Sequence, residues 1–354
     1  MNAIKAELSG PGKIHLSDLK FGTLAKDAVR VRVEYVGVCG SDLHFFKMGQ
    51  ATAGTPFGHE IVGKVVEASH DDLGALVGKR VVVNPYRFCN TCYFCHLNSP
   101  ANCKNRAPSF TTGFASHVDV TVTPDRSNVL LVEQSMPSQT AVLAEPMSVA
   151  VRAVKQALKA GIVAEPGSSP SLVLGAGPIG LLVIHALKTH GFDNVWVLDK
   201  SEARLDLAST AGANRAFQSM ETLDAALSAL PDQDAGIGGT DLLPPVRYIF
   251  ECSGAVPLLA HAAHDWLGRA GVIVQVGLFG QPASVNIDSL LRKEGSLVTS
   301  YAYSAADWPV AMEILSRVTP SEIVTKFDGL DSLQETLVRL KDGEIARKPI
   351  ISVN

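Results

Sequence analysis

The chain has 354 residues, 46% hydrophobic and 19% charged, with 31 basic against 35 acidic side chains and a formal charge of -4. That length fits two domains of ~150 residues, and the composition excludes intrinsic disorder. Without a basic excess or a block of like charges, neither a nucleic-acid nor an anionic-membrane partner has an electrostatic footprint. Residues 1–7 alternate polar and apolar with no apolar run, so no secretory leader is expected and a cytoplasmic location is.

Residues 1–149 read as β-rich, with short β-branched runs at 29–36, 61–68, 80–83 and 117–122 separated by Gly, Pro or Asp turns. From residue 150 strands at 172–174, 195–198, 248–250 and 272–276 alternate with helical patterns. Such alternation predicts a parallel sheet with helices on both faces, an α/β unit spanning 150–293. Residues 167–187 carry no charge, but Pro170, Gly175, Gly177, Pro178 and Gly180 break them into strand, turn and helix start rather than a membrane span. The stretch 231–245, rich in Gly and Pro, reads as a loop.

Four of the six cysteines fall in one window, Cys89-x2-Cys92-x2-Cys95-x7-Cys103. In an intracellular chain that clustering favours a metal over disulfides. Four thiolates saturate a tetrahedral Zn²⁺, so the lobe at about residues 85–107 is expected to be structural. Unligated thiols or a zinc ribbon are the alternatives, but a ribbon uses two distant Cys pairs and only Arg87, Lys104 and Arg106 are basic nearby. His96 lies inside the lobe, where four cysteines leave it no place.

Gly175-Ala176-Gly177-Pro178-Ile179-Gly180 follows a strand and opens an apolar helix. Asp199 ends the next strand 19 positions beyond Gly180, where a dinucleotide ribose needs a hydroxyl acceptor. The glycines suit a tight turn, close approach of a pyrophosphate to the helix N-terminus, and helix–strand packing. Asp199 repels a 2′-phosphate and favours NAD over NADP, a preference softened by Lys200 and Arg204. A glycine turn without a ligand is the bland alternative.

A third set is spread along the β-rich half: Cys39, then Gly58-His59-Glu60, then Ala144-Glu145-Pro146. Each alone reads as core, satisfied histidine or helix start. Together they offer sulfur, nitrogen and carboxylate oxygen, a donor set for a second Zn²⁺ with an open position. Adjacent side chains in an extended strand point to opposite faces. Both His59 and Glu60 therefore reach one ion only if the backbone bends there; otherwise Cys39, His59 and Glu145 form the set. Cys252 reads as core or cofactor-adjacent, and His185, His190, His261 and His264 as structural.

The order Gly-His-Glu, four-cysteine lobe, Glu-Pro, then Gly-Ala-Gly-Pro-Ile-Gly resembles the zinc-dependent medium-chain dehydrogenases over essentially the whole chain. Glu145-Pro146 resembles the polyol branch: sorbitol (L-iditol), L-idonate 5- and threonine dehydrogenases. The resemblance implies a GroES-like catalytic domain, a Rossmann domain with a doubly wound parallel sheet, and residues 294–354 returning to the catalytic domain. It implies Cys39, His59 and Glu60 on a catalytic zinc with Glu145 on the metal or its water, and favours Glu60 as at least an intermittent ligand. It places Val276, Gly277, Leu278, Ser300 and Tyr301 at the cofactor and Phe45 and Tyr303 at the substrate.

The implied reaction is reversible oxidation of a secondary alcohol, polyol or aldonate to a ketone by NAD. Ser41 is the expected first proton acceptor, passing the proton through the cofactor ribose to His44 and solvent. Two zincs per chain and a homodimer or homotetramer are expected. Where the polyol enzymes usually carry a Tyr after the motif histidine and an Arg before the late Tyr, this chain has Phe45 and Ala302. The 103–113 segment is also short for the family. A zinc-free quinone or enone reductase and a non-enzymatic nucleotide-binding protein are the rivals; neither needs the intact metal set.

Overall fold

The computed structural model describes residues 3–161, 169–230 and 246–353. The predicted loop at 231–245 lies outside the described residues. The chain divides into two compact units, residues 1–146 with 303–354, and residues 147–302.

In the first unit β1 (Ile4–Gly10) and β2 (Lys13–Asp18) form an antiparallel hairpin. β3 (Ala28–Gly37) is the hub of the main sheet, pairing antiparallel with β4 (Glu60–Ala68), which pairs with β5 (Arg80–Val83). Its alternating Val29, Val31 and Val33 are buried on the core face, while Arg32 between them is exposed on the other. β6 (Tyr86–Arg87) and β7 (Ala107–Pro108) form a short ribbon that closes the base of the cysteine lobe. β8 (His117–Thr121) returns to β3, and β9 (Val129–Leu131) to β5. The core gathers Val29, Val31, Val33, Val81, Val83 and Phe114.

The second unit is a six-stranded parallel sheet. In chain order its strands are β10 (Ser171–Leu174), β11 (Val195–Leu198), β12 (Arg215–Phe217), β13 (Val246–Glu251), β14 (Leu267–Gln275) and β15 (Ser296–Thr299). They lie in the order β12-β11-β10-β13-β14-β15, the 3-2-1-4-5-6 arrangement of dinucleotide-binding sheets, with its switch point between β10 and β13. β10 and β11 are buried along their whole length. The helix Pro178–Thr189 buries Leu181, Leu182, Val183, Ile184, Ala186 and Leu187. No helix among the described residues is long and apolar enough to cross a membrane.

The chain rejoins the first unit at Tyr303, later than the expected residue 294, because β15 first completes the parallel sheet. β16 (Val324–Asp328) and β17 (Lys348–Ser352) then extend the first sheet, β17 antiparallel to β3 with Ile350 opposite Gly37. Leu330, Leu333, Leu337 and Ile351 bury into the same core as the β3 valines. The first unit is therefore built from both ends of the chain.

Candidate metal centres and cofactor cradle

β3 ends at Gly37, and two residues later Cys39 caps the helix Gly40–Met48. On one side Gly37 pairs with Glu60. On the other, the Ile350–Gly37 register carries Lys348 out opposite Cys39, a placement fixed by Val38 N–H donating to the Pro349 carbonyl at 2.9 Å. A Cβ on Gly37 would stand 2.0 Å from Glu60 Oε2, so only glycine leaves room for that carboxylate.

His59 precedes β4 directly after Gly58, whose φ of 71° turns the chain at the point where His59 and Glu60 need a bend. Ligand atoms of Cys39, His59 and Glu60 all lie within 4.8 Å of one another. Glu60 Oε2 is buried without a hydrogen-bond partner, as expected of an oxygen arranged for a cation, and His59 Nδ1 has the Asp42 carboxylate 3.8 Å away, which orients the ring. The residues present fit a zinc ion.

Groups the motifs did not advertise hold this arrangement. Asp42, fully buried, accepts from the Cys39 and Gly58 backbone N–H groups, both at 2.8 Å, and so ties the two ligand-bearing segments together. Burial raises its carboxyl pKa against the pull of His59. Burial works to lower the His59 pKa, but Cys39, Asp42 and Glu145 outweigh it and hold it well above the usual imidazole value. Lys348 Nζ donates to Glu60 Oε1 at 2.5 Å in a fully buried ion pair.

Glu145 stands outside the three-residue ligand group but within its field. Burial pushes its carboxyl up to about 7, against the pull of His59 and with help from Glu60. The Tyr303 hydroxyl hydrogen-bonds Glu145 and lies 3.5 Å from Asn84 Oδ1. Ser41 is part-buried and His44 exposed, three residues apart and hence on one face of their helix. Phe45 is only 4% exposed and packs in the valine core, because the helix turns positions 45 and 46 inward. Its ring offers no hydrogen bond, and a substrate contact there stays a proposal.

In the cysteine lobe Cys92 caps the short helix Tyr93–His96, which presents Cys95; the turn Pro100–Asn102 presents Cys103. Sulfur separations are 3.5 Å for Cys103–Cys89, 3.6 Å for Cys92–Cys95 and 4.0 Å for Cys89–Cys95. A tetrahedral ion with Zn–S bonds of about 2.3 Å requires sulfurs about 3.8 Å apart, so the lobe fits zinc. The Thr91 backbone and hydroxyl draw Cys89 down to about 5, while loss of solvent and the neighbouring thiols push Cys95 up to about 12. Ionising all four together calls for a cation. Cys95→Ser is expected to lower bound zinc from two per chain to one and to lower the melting temperature. Activity of the surviving folded protein should change less than about tenfold, as checked by metal analysis beside turnover. A variant that melts normally and loses only turnover would contradict a structural role.

The cradle in the second unit forms at the C-terminal ends of β10, β11 and β13. It encloses about 660 Å³ lined by Gly175, Gly177, Pro178, Asp199, Lys200 and Arg204 together with Gln218, Ser219, Cys252 and Ser253, among others. Gly175 has φ 94°, and a Cβ there would strike Ser253; a Cβ on Gly180 would lie 1.9 Å from the Gly175 carbonyl. A Cβ on Gly177 would meet no protein atom within 4 Å, so that glycine serves approach from outside, as a pyrophosphate requires. Ile179 follows in the first turn of the helix.

Asp199 accepts from the Ala176 N–H at 2.7 Å and the Ser201 N–H at 2.8 Å, leaving further lone pairs for a ribose. Buried Glu251 accepts from the Ser253 and Gly254 N–H groups, the Ser253 hydroxyl and Gln275 Nε2, while its carbonyl takes Val276 and Gly277. This fixes Gly277 against Gly254. Leu278 is 80% exposed; Ser300 is buried with a partnerless hydroxyl, and Tyr301 is 61% exposed. Cys252 keeps its thiol protonated, since burial pushes it well up. Cys252, read as core or cofactor-adjacent, lines the cradle, whereas Gln218 and Ser253 carry no motif because their signal is positional: each follows the C-terminal end of a parallel strand.

Residues 25–133 match the alcohol dehydrogenase GroES-like domain family, and residues 178–317 the zinc-binding dehydrogenase family. The chain is 29% identical to a sorbitol dehydrogenase of Halalkalibacterium halodurans over 97% of both chains. It is 31% identical to a 2-dehydro-3-deoxy-L-galactonate 5-dehydrogenase of Pseudoalteromonas atlantica over 81% of this chain and 80% of the relative. The crystal structure of the alcohol dehydrogenase rspB from E. coli CFT073, complexed with NADH, superposes with a TM-score of 0.83 at 24% identity, covering 99% of each chain. With both domains matched and a relative above 30% identity aligned over most of its length, the chain belongs to the zinc-dependent alcohol dehydrogenases, in the polyol dehydrogenase branch.

Proposed function

We propose that this chain oxidises a secondary hydroxyl of a polyol or sugar acid to a ketone, reversibly, with NAD as the hydride acceptor. The observation that carries the reading is the donor set of Cys39, His59 and Glu60, whose ligand atoms lie within 4.8 Å of one another, beside the buried carboxyl of Glu145. Cys39, His59 and Glu60 would hold the zinc, which when bound supplies a Lewis acid that lowers the pKa of a substrate hydroxyl. Glu145, oriented by Tyr303, bonds the substrate hydroxyl or a water. Ser41 and His44, on one helix face, form the path by which the hydroxyl proton leaves. Gly177 and the start of the helix Pro178–Thr189 receive the pyrophosphate, and Asp199 the ribose.

The thiol-rich lobe suits a reducing, cytoplasmic setting. The exposed apolar residues Ile287, Leu291 and Leu297 on and beside the edge strand β15 support a homodimer or homotetramer. The sugar acid in the name of the Pseudoalteromonas relative brings hydroxy acids into the substrate range to be tried.

A panel of polyols, aldonates and simple secondary alcohols, read by NADH absorbance, tests the reading; no NADH from any of them would remove it. In the same assay Glu145→Ala is expected to lower kcat by about 10²-fold or more. Full zinc retained by that variant assigns the third ligand to Glu60; loss of the catalytic zinc assigns it to Glu145.

A further inference from the structure

The two-stranded ribbon at the base of the cysteine lobe does more than close it. Tyr86 in β6 stands opposite Pro108, and Arg106 directly precedes β7. The Arg106 guanidinium lies over the Tyr86 ring, 4.7 Å from its centroid. Asn84 links this pair to the metal centre, because its Oδ1 accepts the Tyr86 N–H at 3.0 Å and lies 3.5 Å from the Tyr303 hydroxyl, which in turn bonds Glu145. On the other side the Tyr86 hydroxyl lies 3.5 Å from the Thr55 hydroxyl. A continuous polar wall thus runs from Glu145 to Arg106.

Arg106 is part-buried, and among the described residues no carboxylate forms an ion pair with it. Stacking occupies the face of a guanidinium and leaves its N–H edge free for a planar or tetrahedral anion. At the opposite end Asp42, Glu60 and Glu145 are buried beside the thiol of Cys39, their charge offset by Lys348, by His59 and by the cation that the ligand group would hold. Of the groups along the wall, Arg106 is a guanidinium with an open N–H edge and, among the described residues, no carboxylate partner, so it is the place where an anionic terminus would be held.

We propose that Arg106, stacked on Tyr86, recognises an anionic terminus of the substrate, a carboxylate or a phosphate, while the hydroxyl to be oxidised lies at Cys39 and His59. The preferred substrates are then sugar acids or phosphorylated polyols rather than neutral polyols. Tyr86 and Thr55 supply hydroxyls for the carbons between, in place of the tyrosine that position 45 lacks. Burial holds the Tyr86 phenol above its usual pKa, so it stays a neutral donor. The inference rests on the proposed dehydrogenase activity.

The test compares kcat/KM for neutral polyols, aldonates and polyol phosphates, in wild type and in Arg106→Gln and Arg106→Lys. Zinc content is measured on each to show that the lobe is intact. Wild type should prefer one acidic class, which names the anion, and the preference should weaken as salt is raised. Arg106→Gln should cut the acidic-to-neutral ratio about ten- to hundredfold, chiefly through KM, and Arg106→Lys should restore part of it. Equal use of neutral and acidic substrates, or a ratio that Arg106→Gln leaves in place with both zincs bound, would overturn the proposal and leave the dehydrogenase reading standing. No NADH from any class would overturn both.

Discussion

Cys39→Ala is expected to abolish turnover while leaving the protein folded and its lobe zinc in place. The thiol is one of three donors within 4.8 Å of one another, and two donors alone do not hold zinc in a tetrahedral site. Metal-ion catalysis contributes several kcal/mol, and at about 1.4 kcal/mol per tenfold the loss in kcat should reach about 10³-fold. Native mass spectrometry should show one zinc per chain instead of two. A Cys39→Ala protein that keeps both zincs and turns over normally would move the reaction away from this cluster.

The second large effect is on stability. Lys348 and Glu60 are 4% and 1% exposed at their side chains, so in the protein stripped of its catalytic zinc removing one strands the other as an uncompensated buried charge. Lys348→Met is expected to cost about 3–5 kcal/mol, and pairing it with Glu60→Leu should recover much of that. Chemical denaturation of the two variants checks this. Burial tends to lower the Lys348 pKa, but Glu60 and the thiol of Cys39 outweigh it and hold it above the usual value. The contribution of the pair is therefore complete at neutral pH and is lost only as pH rises through that raised value. A Lys348→Met protein as stable as wild type would show that the charge at Glu60 is satisfied elsewhere.

What the sequence made legible were features with a local period or a fixed spacing. The cysteine lobe, the glycine turn and the strands of the parallel sheet all lie within short windows, and steric or ligand geometry forces their spacing. The partners that make the metal centre work are of another kind. Lys348 meets Glu60 across 288 positions of sequence, through a register that only the β3–β17 pairing sets. Asn84, Tyr86 and Arg106 are single polar residues around the lobe, without a motif of their own. Asp42 lay inside a motif already noticed, yet its role depends on a turn at Gly58 that the chain reaches 16 residues later.

At Phe45 the resemblance implies a substrate contact, and helical periodicity packs its ring against the valine core together with Phe46. The onset of β14 at Leu267, five residues before the run at 272–276, was hidden by Gly268 and Gly271, which interrupt its β-branched pattern.

The central claim is that zinc held by Cys39, His59 and Glu60 serves NAD-linked oxidation of a secondary hydroxyl. Its most direct test is NADH absorbance on mixing the protein with NAD and a hydroxylated sugar acid or polyol, before chelation, after it, and after zinc is returned. The expected result is NADH formation that disappears with the metal and recovers with it. NADH formation that persists after zinc has left the Cys39 cluster would contradict the account.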